Sequence, residues 1–316
     1  MQRRNEEVAA GRILSTRVCP AISKPPTGLI FGSCFVICHL DFVILDPLTQ
    51  YVPEGVSPAW AMSALVLAVL VTGVAKSGFG GGIGILAVPL MASAIDADNA
   101  LGVMLPILIA ADVAAVWQHR RQLNAGPGGG GGAGVLRPCL LGGLVGVIAA
   151  SGLLKFYQGA AGFGALLSVT VGGVCLALVA LQVFRVAGGR VPRVPPGRRA
   201  AVGVGGVAGF VSALAHAAGP VMSVYLLDQR MKKAQLVATL AVFFFVLNLM
   251  KLPGYLALGV IDRGTLRASA LLLPLVPVGA VLGLWLHRRC PERPFTLIMY
   301  AGAAAAGLRM IYRAFA

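Results

Sequence analysis

The sequence predicts an all-α integral membrane protein made of two related halves, with glycine-interrupted helices. Of its 316 residues, 58% are hydrophobic and only 12% are charged. Water-soluble domains carry roughly a quarter charged residues, because their surfaces must be wetted. Long uncharged stretches recur along the chain, and both halves show the same order of stretches. We therefore expect about eight transmembrane helices, together with short broken segments.

The apolar stretches set the number of candidate helices. A helix needs about 20 predominantly apolar residues to cross the hydrocarbon core. Several stretches are long enough, and others are short or are interrupted by glycine and proline. In chain order they are Ala59–Ala75, Gly78–Ile95, Asn99–Trp117, Cys139–Leu154, Phe156–Phe184, Ala200–Leu227, Ala234–Ile261, Ala268–Leu286 and Phe295–Leu308.

A basic, proline-rich segment divides the chain. Residues 185–199 contain five arginines and three prolines, which excludes a lipid-crossing helix there. This segment is predicted to be a cytoplasmic linker between a first membrane repeat, residues 57–184, and a second, residues 200–316. Residues 1–56 form an N-terminal extension of uncertain structure, whose apolar stretch Leu29–Leu45 is short for a span.

The two halves share one layout, although few residues are identical. Shifting the chain by 136 residues aligns Gly82–Asn124 with Ala218–Val260 without gaps, and Asp112 then meets Asn248. Paired interrupted helices at matching places in two halves are typical of secondary transporters.

The distribution of basic residues predicts that the two halves are inverted relative to each other. With the linker in the cytoplasm, most basic loops also lie inside, as the positive-inside rule requires. Each half then crosses the membrane an odd number of times. These loops hold Arg120, Arg121, Arg230, Lys232, Lys233, Arg288, Arg289 and Arg293.

The composition of the chain also indicates which classes of partner and cofactor it binds. The net charge of +15 comes from basic residues between apolar stretches, which favours contacts with anionic membrane lipids over nucleic acid. The six cysteines form no CxxC spacing, so neither a disulfide framework nor a metal site is expected. The chain has no GxxxxGK loop, and no cofactor is predicted.

A glycine-rich run, GFGGGIG at residues 78–84, is the most specific motif. Consecutive glycines disfavour a continuous helix, so Gly80, Gly81 and Gly82 are candidates for backbone contacts to an anion. Close packing of two helices is the alternative, because small residues let transmembrane helices approach each other.

Two charged residues lie inside apolar stretches. Ionisable groups in a span are costly and usually face a cavity or a partner. Lys251 is a candidate for substrate binding, with snorkelling of its side chain to the interface as the alternative. Asp112 is a candidate for proton coupling, or it is the ion partner of Lys251. Lys76 and His119 fit a role as interfacial anchors.

Polar and small residues at a second interruption complete the candidate site. The sequence HAAGP, residues 216–220, breaks a long apolar stretch. His216 and Gly219 are candidates for substrate binding, and a hydrogen-bonded structural histidine is the alternative for His216. Asn248 either bonds between helices or contacts substrate.

These motifs resemble the sulfite exporter TauE/SafE family. In the first half the resemblance is carried by AKSGFGGGIGILAVPLMASAIDADNALGVML followed by HRRQLN. In the second half it is carried by GPVMSVYLL and LVATLAVFFFVLNLMKLPGYLALGVID. The resemblance covers roughly residues 57–313. The chain departs from it where HAAGP stands in place of a second glycine run.

The resemblance implies a multi-pass permease of the cell's inner membrane that exports a small anion, such as sulfite, a sulfonate or another organosulfur anion. The resemblance implies no catalytic residues, and it leaves undecided whether the protein forms a homo-oligomer. A membrane-embedded enzyme and a non-transporting membrane anchor subunit are the alternative functions. The sequence has no HExxH or GxSxG motif to support the former.

Overall fold

The structure is a computed structural model of the chain. It describes residues 48, 50–53, 56–78, 84–124, 131–159, 162–188, 194–229, 231, 233–289 and 292–315. The apolar segment predicted at residues 29–45 and the glycines Gly80, Gly81 and Gly82 lie outside the described residues.

The described residues are helical apart from turns and short connections. Two short helices stand out, because they follow the two interruptions predicted from the sequence. A 3-10 turn at Gly84–Leu86 leads into the first of them, α2. The helices are α1 Pro58–Gly78, α2 Ala87–Ala92, α3 Ala97–Asn124, α4 Gly131–Gln158, α5 Phe163–Val186, α6 Arg198–Ala215, α7 Gly219–Asp228, α8 Lys233–Ala257, α9 Arg263–Leu272, α10 Leu275–Arg289 and α11 Glu292–Phe315.

Five helices in the described part of the chain are long and apolar enough to cross a membrane: α1, α3, α4, α5 and α8. Helices α9 and α10 make a sixth candidate if they form one span bent by 44°. The sequence predicts a single stretch at Ala268–Leu286, but the structure breaks it at Leu273 and Pro274. Proline has no N–H to continue the helical hydrogen bonds, which explains the bend.

Large apolar side chains point outward from several helices. Such a surface is unfavourable in water and suits contact with lipid chains. The most exposed of these side chains include Val145, Ile148, Phe156, Val281, Leu297 and Ile298. The outward apolar surface agrees with the low charge content of the sequence.

Helices α4 and α6 pack in parallel through glycines. Gly205 lies against the backbone of Cys139, and four residues further along both helices Gly209 lies against Gly143. A methyl group on Gly209 would stand 2.8 Å from the Gly143 Cα atom. Such close backbone approach is possible only between small residues.

Helices α1 and α10 pack in the same parallel manner. A Cβ atom on Gly73 would lie 2.8 Å from the Gly279 Cα atom, and Gly283 lies against Val74 and Ser77. The 136-residue shift that aligns the two halves pairs Gly73 with Gly209, and Gly143 with Gly279. The Gly73–Gly279 contact therefore corresponds to the Gly209–Gly143 contact.

Helices α3 and α8 run antiparallel along each other. Gly102, near the start of α3, lies against Val260, just beyond the end of α8. Ten residues later in α3, Asp112 contacts Asn248, which precedes Val260 by twelve residues. Helices α5 and α11 are also antiparallel, with Gly172 against Ile311 and Gly307 against Cys175.

The α4–α6 contact offers a test of the fold. We expect Gly209→Ala to destabilise the protein by about 1–3 kcal/mol, because the methyl group would overlap the Gly143 backbone. Gly203 is the matched control on the same helix, since a Cβ atom there would meet nothing within 4 Å. Gly203→Ala should leave the melting temperature in detergent unchanged or raise it slightly, because alanine favours the helix. Equal melting temperatures for the two variants would contradict the tight contact.

Candidate functional site

Four helices bring polar side chains together inside the protein. Each of these residues lies in a largely apolar helix, and the partners come from distant parts of the chain. Helix α1 carries Lys76, α3 carries Asp112, α6 carries Ser212 and has His216 as its C-cap, and α8 carries Asn248 and Lys251.

Asp112 is fully buried, and both of its carboxylate oxygens accept hydrogen bonds. The Lys76 Nζ atom lies 2.5 Å from Oδ1, and the Asn248 Nδ2 atom donates to Oδ2 at 2.6 Å. Lys76 also stands 4.5 Å from the centre of the Phe244 ring, a cation–π distance. Asp112 is therefore stabilised as a carboxylate by one ion pair and one amide.

Lys251 is also fully buried, but none of its hydrogen-bond partners carries a negative charge. Its Nζ atom donates to the Ser212 carbonyl oxygen at 3.1 Å and to Ser212 Oγ at 2.9 Å. Its third partner is His216 Nδ1, at 2.8 Å. Within the described part of the chain, Lys251 forms no ion pair with a carboxylate. The complete burial excludes snorkelling of this side chain to the interface.

His216 occupies an unusual backbone position at the end of α6. Its φ of 50° places it in the left-handed region, the one case among the described non-glycine residues. Its N–H bonds the Ser212 carbonyl, and its ring lies edge-on to Tyr255, 5.9 Å between centres. Tyr255 in turn donates to the Ala213 carbonyl at 2.6 Å.

The hydrogen bonds of His216 define its tautomer. Nε2 lies 3.3 Å from the Leu101 carbonyl oxygen, which can only accept, so Nε2 carries a proton. Nδ1 lies 2.8 Å from the Lys251 Nζ atom. If Lys251 is an ammonium, Nδ1 accepts a hydrogen bond from it and the imidazole is the neutral Nε2–H tautomer.

A small cavity lies between these groups. It measures about 20 Å³, close to the room that one water molecule needs. Its polar lining residues are Thr72, Lys76, Ser212, His216 and Asn248, and its other lining residues are Ala75, Gly84, Leu108, Gly219 and Phe244. Binding an anion larger than water would require these helices to separate.

The structure brings most of the predicted site residues to one place. His216, Gly219 and Asn248 line the cavity, and Lys251 and Asp112 bond directly to lining residues. Gly84, the last residue of the glycine-rich run, also lines it. Gly80, Gly81 and Gly82 lie outside the described residues. The predicted roles of all these residues in substrate binding and proton coupling stay predictions.

Two residues of the cluster were not identified from the sequence. Lys76, which fits an interfacial anchor by sequence, is instead the ion partner of Asp112, in place of the predicted Lys251. Ser212, with no signal of its own, is a hydrogen-bond partner of Lys251. The repeat does point to both residues, because the 136-residue shift that pairs Asp112 with Asn248 also pairs Lys76 with Ser212.

Comparison with known protein families gives a match. A family model described as sulfite exporter TauE/SafE matches residues 65–310, which include every residue of the cluster. No curated protein and no solved structure matches the chain.

Proposed function

The chain belongs to the sulfite exporter TauE/SafE family, and from this premise we propose that it exports a small organosulfur anion, such as sulfite or a sulfonate, across the cytoplasmic membrane. Family membership and the apolar helices make it a multi-pass membrane permease. The proposal adds the substrate class, the direction, the membrane and the residues that bind the anion.

The observation that carries the proposal is the complete burial of the Lys251 amino group, whose hydrogen-bond partners are all neutral groups. Burial of an ammonium group costs several kcal/mol unless an anion or equivalent partner stabilises it. Lys76 has such a partner in Asp112, whereas the described partners of Lys251 are neutral. A small anion entering the adjoining cavity would supply the missing counter-charge. Asn248 and Ser212 would offer hydrogen bonds to its oxygens.

We propose that the first half, α1–α5, and the second half, α6–α11, form inverted repeats. The antiparallel course of α3 and α8 supports this, since their contact joins Asp112 and Asn248, residues that the 136-residue shift pairs. The matching glycine contacts of α1 with α10 and of α6 with α4 also support it. About eight membrane helices result if α6 and α11 are counted as well. Each half keeps an odd number of net crossings if the short helices α2 and α7 return the chain after α1 and α6. The parallel course of α1 and α3, which meet at Thr72–Met104 and Lys76–Asp112, supports such a return.

In this arrangement the candidate site would lie between the two halves. Lys76 from the first half and His216 and Asn248 from the second half line one cavity. Asp112 and Lys251 each form hydrogen bonds to lining residues. Rocking of one half against the other would open the cavity to each side in turn, as in other transporters built from inverted repeats.

The membrane potential provides a driving force for export. When an anion leaves a cell whose interior is negative, its electrostatic free energy falls by about 2.3 kcal/mol per charge for each 100 mV. Export along this potential needs no ATP-binding loop, and the sequence contains no GxxxxGK motif.

Proteoliposomes that contain only this protein would test the proposed function. We expect labelled sulfite trapped inside to leave faster than from protein-free vesicles, and faster still when a valinomycin-induced potassium potential makes the interior negative. A membrane-embedded enzyme would change the sulfite chemically, and an anchor subunit would release none. Either of those two results would overturn the proposal.

A further inference from the structure

His216 and Lys251 share a hydrogen bond that the binding of one proton would break. In the structure, Nδ1 lies 2.8 Å from the Lys251 Nζ atom and Nε2 lies 3.3 Å from the Leu101 carbonyl oxygen. With Lys251 as an ammonium, the neutral imidazole accepts at Nδ1 and donates at Nε2. A proton added at Nδ1 would leave two cations side by side, each with an N–H group and no acceptor between them.

We propose that His216 is the proton-binding residue of this permease: Nδ1 takes up a proton when an anion binds beside Lys251, and one proton crosses the membrane with each anion. This inference rests on the proposed function, because it concerns the same anion site.

The charges around His216 explain why proton and anion would bind together. Lys251 and Tyr255 face it from α8, Lys76 lines the same cavity from α1, and Asp112 on α3 is bound to Lys76. Protonation without an anion would place three cations beside one carboxylate. An anion between His216 and Lys251 accepts from both and cancels the added charge, so each ligand raises the affinity for the other.

Asp112 is less suited to carry this proton. Both of its oxygens already accept hydrogen bonds, from Lys76 and from Asn248. A proton on either oxygen would remove the charge that pairs with Lys76 and weaken both of these hydrogen bonds. Nδ1 of His216, in contrast, faces a donor that can turn towards a bound anion.

The backbone supports a specific need for this side chain. A left-handed conformation at a helix end is usually occupied by glycine, because other residues adopt it at a cost in free energy. His216 adopts it at φ 50° and thereby directs its ring towards Lys251. Strain of this kind clusters at functional sites.

Proton coupling of this kind remains compatible with export. A sulfite dianion that moves with one proton still transfers one net negative charge. The negative interior therefore continues to drive it outward, with half the dependence on the potential that the dianion alone would have.

The test compares wild type with His216→Asn in proteoliposomes. Asparagine tolerates the left-handed conformation and its side-chain oxygen can accept from Lys251, but it does not titrate. The membrane potential is clamped at zero with potassium and valinomycin, and the interior is set one pH unit above the exterior. We expect about tenfold accumulation of the sulfite dianion by wild type, because one pH unit is a tenfold ratio of protons. The variant should show no accumulation. Its exchange of labelled sulfite at equal concentrations should be slower than in wild type, because a hydrogen bond to the anion is lost, but should not depend on the pH difference.

The outcomes separate this inference from the proposed function. Equal pH-driven accumulation by both proteins would mean that the proton travels on bisulfite or on another residue, and would overturn the inference. Exchange without pH-driven accumulation by wild type would also overturn it, while sulfite transport would stand. Absence of sulfite movement by wild type would overturn the proposed function itself.

A measurement on wild type covers the case in which the variant does not fold. The chain has four histidines, so ¹⁵N spectra of histidine-labelled protein are simple. We expect the signals of one histidine to change from the Nε2–H form to the doubly protonated form on addition of sulfite. Substitution of the other three, His39, His119 and His287, assigns that signal. Spectra in which no histidine changes would contradict the inference.

Discussion

Replacing Lys251 with methionine is expected to reduce sulfite transport to the level of protein-free vesicles, while the protein folds as stably as wild type or more so. Methionine fills a similar volume without the charge. The Lys251 ammonium is fully buried with neutral described partners, so it carries a desolvation cost that the folded protein must offset. Removing it relieves that cost, although Ser212 loses two hydrogen bonds and His216 loses one.

The opposite signs of the two effects make this variant informative. A residue that only supports the fold would lose stability and transport together. A residue kept for substrate binding at the expense of stability should lose transport alone. Transport is measured as sulfite efflux from proteoliposomes, and stability as the melting temperature in detergent.

Lys155 provides the matched control for this experiment. It also lies in a long apolar helix, α4, but its side chain is exposed. Lys155→Met should leave sulfite efflux and melting temperature close to wild type. If Lys251→Met transported sulfite at the wild-type rate, Lys251 would not be the counter-ion of the substrate.

The helices and their interruptions could be predicted from local sequence. Uncharged stretches specify helices in lipid, and glycine or proline clusters such as HAAGP end them, because these effects depend on neighbouring residues only. The structure ends α6 at Ala215 and starts α7 at Gly219, within this interruption. The sequence does not predict the bend at Pro274, because many membrane helices tolerate an internal proline and its effect depends on packing.

The site could be predicted as a set of residues but not as a set of bonds. Asp112, Asn248 and Lys251 stand out because polar groups are rare in apolar helices. Which lysine pairs with Asp112 depends on how α1 packs against α3, and the sequence contains no local signal for that contact. Ser212 is still less visible, since an isolated serine is common in membrane helices.

The ion pair of Lys76 with Asp112 leads to the second large effect. We expect Lys76→Met to destabilise the protein by about 3–5 kcal/mol, because it leaves a fully buried carboxylate without its cation. Asp112→Asn should cost less, since Lys76 is 12% exposed and keeps its contact with the Phe244 ring. Melting temperatures in detergent measure both effects.

The double variant decides what Asp112 does. With Lys76→Met and Asp112→Asn combined, neither charge remains, and the stability should return most of the way to wild type. Such recovery requires that Asp112 is ionised and held by Lys76 in the native protein. If Asp112 were instead a protonated carrier, Lys76→Met alone would cost little, and Asp112→Asn alone would abolish the pH-driven accumulation of sulfite. Retention of that accumulation in Asp112→Asn, together with its loss in His216→Asn, would assign the proton to the histidine and the structural charge to the carboxylate.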